Sequence, residues 1–74
     1  MNKTNAFDFE IRVLRAVNYL FGRSGSPVTK KQLREHLRVL RFGNMLNALV
    51  AAGQLELLDG GYVLTDEGTI RLVG

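Results

Sequence analysis

The stretch from Val28 to Gly53, VTKKQLREHLRVLRFGNMLNALVAAG, limits the fold of this chain more than any other, because it reads as two short amphipathic helices with almost nothing between them. The first opens on a capping box: Thr29 can accept a hydrogen bond from the amide of Gln32, and the Gln32 side chain can reach back to the amide of Thr29. Val28 and Leu33 occupy the two positions of a hydrophobic staple, which fixes the angle at which the chain enters the helix. Leu33 and Leu37 then face inward, leaving Lys30, Lys31 and Arg34 outside. The second helix carries Phe42, Met45, Leu46, Leu49 and Val50 at the spacing of one buried face, and Gly53 ends it as a left-handed cap. With a tight turn around Arg38-Val39-Leu40, two such helices must cross steeply.

With 74 residues there is room for one domain, 1–74, near the lower limit at which an apolar core suffices without disulfides or metal. The chain has no Cys, which removes both a disulfide framework and a thiolate metal site. No apolar run approaches the roughly 20 residues of a membrane span, and the opening MNKTNAFDFE lacks signal-peptide character. The expectation is a soluble, cytoplasmic protein without cofactors.

Charge is unevenly laid out. From Arg23 to Arg41 the chain carries Arg23, Lys30, Lys31, Arg34, Arg38 and Arg41 against the acid Glu35, whereas Gln54 to Glu67 carries Glu56, Asp59, Asp66 and Glu67 with no base. The positive end coincides with the two-helix stretch, where a polyanion would be drawn at low salt; an ordinary solvated helix face would also be charged, and charge alone does not separate the two.

Before this stretch, residues 1–4 are expected to fray and Asn5 to cap a first helix reaching about Phe21, with Gly22 just beyond. Phe7, Ile11, Leu14, Val17 and Phe21 form one apolar ridge, and Phe9, Val13, Ala16 and Leu20 a second. So wide an arc fits either a central helix wrapped by its own domain, or one covered on a second side by a partner chain through Phe9, Val13 and Leu20. Arg23 to Pro27 reads as a loop, with Val28 in a very short strand. Beyond Gly53, residues 54–58 and 62–65 alternate around Asp59-Gly60-Gly61, a β-hairpin with Leu55, Leu57, Tyr62 and Leu64 inward and Glu56 and Val63 outward. Thr65 would cap a final helix from Asp66 to about Leu72, weakened by Gly68.

Leu33, Leu37, Val39, Leu46, Leu49, Gly53 and Leu55, followed by Gly61-Tyr62-Val63-Leu64-Thr65-Asp66-Glu67-Gly68, resemble the pattern of the winged helix-turn-helix superfamily, as in small prokaryotic regulators of the MarR, PadR and ArsR type. The resemblance covers nearly the whole chain. It implies an α+β, mostly α fold, with a three-helix core, a C-terminal β-hairpin and a short final helix. It also implies a transcriptional regulator of prokaryotic or viral type that binds duplex DNA, a homodimer through helix 1 being a further expectation. The second helix of the pair, from about Leu40 to Ala52, would enter the major groove, offering Arg41, Gly43, Asn44, Asn47, Ala48 and Ala51; Lys30, Lys31 and Arg34 would hold phosphates from the preceding helix, and Arg38 and Arg41 would also meet phosphates near the start of the second. The alternative is a winged-helix protein-interaction module within a larger complex, without DNA binding. Unlike the usual pattern, the turn lacks a Ser, Thr or Asp to cap the second helix, and the hairpin tip bears Asp59 where DNA-binding wings commonly bear Arg or Lys.

Enzyme chemistry finds no footing. The single His36, on a basic helix, is expected at the surface, since no second His or Cys could complete a metal site. Asp66 and Glu67 are adjacent and would point about 100° apart on a helix, so they cannot act as a facing carboxylate pair.

Overall fold

The computed structural model describes residues 6–73, so the expected fraying of residues 1–4, the Asn5 cap and the Phe7 side chain lie outside what is described. Among the described residues, four helices and one antiparallel hairpin follow in the order α1 (Ala6–Ser24), α2 (Lys30–Leu37), α3 (Gly43–Ala51), β1 (Leu55–Leu58), β2 (Gly61–Leu64) and α4 (Asp66–Val73). The fold is α+β and mostly helical. No described helix is long and apolar enough to cross a membrane.

The central element is α1. Val13, Leu14, Ala16 and Val17 form its buried side and meet Val28, Leu33, Phe42, Leu46, Leu49, Leu55 and Tyr62 in one apolar cluster. Phe9, Ile11 and Leu20 pack partly buried around it, and Phe21 is 40% exposed. The first helix therefore spends most of its wide apolar arc on its own domain. Val13 in particular is fully buried in this core and has no surface to offer a partner chain. The helix also runs past Phe21: Gly22 lies inside it, and the left-handed turn comes at Gly25, whose amide donates to the Phe21 carbonyl (2.7 Å). Nothing at Gly22 forces a stop, because its φ is not positive and it does not form the left-handed cap with which a glycine commonly closes a helix.

Both bonds of the capping box at the start of α2 are present, Gln32 N donating to Thr29 Oγ1 (3.1 Å) and Thr29 N to Gln32 Oε1 (2.9 Å). Val28 and Leu33 are both buried beside it. Val28 also makes a two-bond antiparallel bridge to Tyr62, with N···O distances of 2.9 and 2.7 Å. That bridge makes β2 the inner strand, flanked by Val28 on one side and β1 on the other. It explains a departure from the alternation expected of the hairpin. Leu57 lies directly across from Tyr62, yet Leu57 is 58% exposed while Tyr62 is buried, because β1 is the edge strand. Leu55 alone represents β1 in the core, and Val63 is half-buried rather than outside. Gly61 belongs to β2, so the turn is the two-residue Asp59-Gly60, both at positive φ, the pairing that matches strand twist.

At the other end of α3, Gly53 (φ +80°) closes a double-bonded cap: its amide donates to the Val50 carbonyl (3.0 Å) and that of Gln54 to Leu49 (2.9 Å). Thr65 then joins two helix ends, its hydroxyl donating to the Gly53 carbonyl (2.6 Å) and accepting from the Gly68 amide at the start of α4 (3.1 Å). Here Gly68 is required rather than merely weakening, since a Cβ there would lie 2.3 Å from the Gln54 carbonyl oxygen. Arg71 completes the attachment of α4 by donating to Glu10 of α1 (2.5 Å) and to Gln54 (2.6 Å). From these contacts, Gly68→Ala is expected to cost about 1–3 kcal/mol through overpacking, and Thr65→Ala about 1 kcal/mol through the lost cap. Urea unfolding of the two variants checks both; a midpoint equal to that of the parent chain would contradict the role of this junction.

Candidate functional site

One side of α2, the link after it and the start of α3 surround a cleft of about 320 Å³ lined by Lys30, Arg34, Leu40, Arg41, Phe42, Gly43 and Asn44. Its geometry follows from the link, which is longer than the tight turn expected from sequence. Between Leu37 and Gly43 lie Arg38 to Phe42, so the second helix begins at Gly43 and not near Leu40. Arg38 caps α2 in the left-handed region (φ 60°, ψ 38°), with its amide bonded to the Arg34 carbonyl (2.8 Å). Val39, half-buried, and Phe42, buried, anchor the link in the core. Leu40, between them, is 80% exposed.

The chemistry of the cleft is cationic. Lys30 and Arg34, four residues apart, stand on one side of α2 and Arg41 closes the other wall, with no acid in the lining. Phe42 supplies no side-chain hydrogen bond to the start of α3, so the first-turn amides of that helix add their partial positive charge to the same place. Such an arrangement has the donors that charge-assisted hydrogen bonds to phosphate-like oxygens require.

The expected contact residues are therefore divided. Lys30, Arg34, Arg41 and Asn44 meet at the cleft. Lys31 and Arg38 are exposed on α2 and its cap but do not line it. Asn47 lies further along α3, where Asn44, Asn47, Ala48 and Ala51 are all exposed and fall within an arc of about 100°. Arg41, expected on this helix face, belongs to the link instead. Phe9 and Leu20 are half-buried on α1.

A second, wider cleft of about 450 Å³ separates α1 from α2, lined by Arg12, Arg15, Ala16, Tyr19, His36 and Leu37. His36 is at the surface as expected, its ring stacked on Tyr19 (centroids 5.6 Å apart, planes 29° apart). Arg23 donates to the Tyr19 hydroxyl (2.9 Å). Sequence reading passed over this grouping, although Arg12, Arg15 and Tyr19 recur at helical spacing. Compared with protein-family models, curated proteins and solved structures, the chain matches none.

The left-handed conformation of Arg38 costs a side-chain-bearing residue about 1–2 kcal/mol, most for a β-branched one. Arg38→Gly should thus raise the urea midpoint and Arg38→Val lower it; the reverse order would contradict the described link.

Proposed function

We propose that the chain is a small winged helix-turn-helix DNA-binding protein, a transcriptional regulator that occupies duplex DNA with α2 and α3. The observation that carries this reading is the coincidence on one side of the molecule of two different kinds of chemistry. The cleft of Lys30, Arg34 and Arg41 suits phosphates, and the exposed Asn44, Asn47, Ala48 and Ala51 of α3 suit base edges. A major groove about 12 Å wide admits one α-helix. Asparagine can pair with adenine N6 and N7, and alanine methyls can meet thymine methyls. Phosphate contacts from the cleft would fix the register of that helix without reading sequence.

The order of elements supports the same reading: a long first helix, two short helices joined by a link, and a hairpin after them. The hairpin contributes little to DNA attraction, since its residues from Gln54 to Leu64 include Glu56 and Asp59 and no base. Binding would thus rest on the two helices and the link. It would also be strongly salt-dependent, because each neutralised phosphate releases counterions. On this reading Arg41, which shares its cleft with Lys30 and Arg34, would contact phosphate rather than a base edge.

Fluorescence anisotropy with a duplex selected from a random pool and with an unselected duplex tests these roles. Asn44→Ala and Asn47→Ala are each expected to cost about 1–3 kcal/mol on the selected duplex alone. Arg34→Ala and Arg41→Ala are expected to weaken both duplexes alike and to reduce the slope of log K against log salt by about 1 each. Equal losses on both duplexes for the asparagine variants would overturn the assignment of base reading to α3.

A further inference from the structure

The outer side of α4 and the groove between α1 and α2 are complementary in shape of charge and in apolar content. On α4, Gly68, Arg71 and Leu72 face the domain, while Asp66, Ile70 and Val73 stand outside. These last three fall within an arc of about 60°, with Glu67 at its flank. Ile70 is 65% and Val73 81% exposed, an unusual surface for a helix whose only remaining outward groups are two acids and Thr69. The α1–α2 groove is the reverse. Ala16, Leu37 and the stacked rings of Tyr19 and His36 make an apolar floor, and Arg12 and Arg15 make a cationic rim without an acid in the lining. Arg15 has no ion pair among the described residues.

We propose that α4 of one copy docks in the α1–α2 groove of a second copy, with Ile70 and Val73 on the floor and Asp66 and Glu67 against Arg12 and Arg15. The two surfaces belong to opposite flanks of α1. Glu10, which receives Arg71 of α4, and Arg12, on the groove, project about 200° apart around that helix. One copy therefore cannot use both surfaces on the same neighbour through a two-fold axis. The contact is head-to-tail, each molecule giving α4 to one neighbour and its groove to another, so association goes beyond a dimer, into a ring where the rotation closes and an open chain where it does not. A patch formed by one two-turn helix is smaller than the roughly 800 Å² per partner of a stable complex, so the contact is weak and concentration-dependent. It leaves the Lys30, Arg34 and Arg41 cleft uncovered and does not depend on DNA binding.

Sedimentation of the free protein, up to about 1 mM and at low salt so that surface charges are unscreened, reads the proposal directly. The parent chain should show a sedimentation coefficient that climbs with concentration without a dimer plateau, and that falls back as salt rises. Arg15→Glu spoils the groove alone, and Ile70→Asn, at a position 65% exposed, spoils α4 alone without creating a charge that could pair with Glu at position 15, so each variant by itself should stay monomeric. Their equimolar mixture should form a species of two chains and nothing larger, because only the intact α4 of the first can enter the intact groove of the second. That mixture also controls for misfolding, since an unfolded variant could not complement the other. A parent chain that is strictly monomeric at about 1 mM, an Arg15→Glu variant that still associates, or a mixture that stays monomeric would each overturn it.

Discussion

Everything in this molecule depends on the burial of one aliphatic cluster. Val13, Leu14 and Val17 of α1, with Val28, Leu33, Leu46, Leu49 and Leu55 from the elements around it, are almost wholly removed from water. No polar or charged side chain is buried with them among the described residues. In a chain of 74 residues without cysteine, such burial is the dominant favourable term for folding. Apolar burial has no direction, however, and cannot by itself choose one arrangement of four helices. Direction comes from polar devices at the rim: the Thr29–Gln32 box, the Val28–Tyr62 bridge, the Gly53 cap and the Thr65 junction.

Because the core contains no ionic groups, charge is free to be distributed over the surface, and it is distributed unequally. The capping box and the staple hold α2 so that Lys30 and Arg34 lie on one side. The anchors Val39 and Phe42 then bring Arg41 opposite them. The same link leaves the start of α3 without a side-chain cap, so backbone dipoles and side-chain cations converge. Four of the seven acids, Glu56, Asp59, Asp66 and Glu67, lie instead on the hairpin and α4.

Local signals in the sequence carried most of the fold. The box at Thr29, the apolar spacing of α3, the glycine cap at Gly53 and the start of α4 at Thr65 are all short-range patterns, and the structure bears out each of them. What depended on tertiary contact was less legible. Val28 bonding to Tyr62 covers the outer side of β2 and leaves β1 as the edge, with Leu57 in water, and no alternation pattern encodes that. Arg38 entering the left-handed region lengthened the link and moved Arg41 off α3, although the residue type gives no hint of it. The site was legible as a basic stretch but not as a cleft. Its division into phosphate-type cations and a neutral asparagine face needed the position of the first residue of α3.

The central claim is that the side formed by α2, the link and the start of α3 is where duplex DNA binds. An isotope-labelled sample titrated with an unselected duplex at low and then moderate salt tests it residue by residue. The account predicts amide shifts confined to about residues 30–48, fading as salt rises because screening weakens phosphate contacts. No shifts at low salt, or shifts centred on the hairpin and α4, would contradict it.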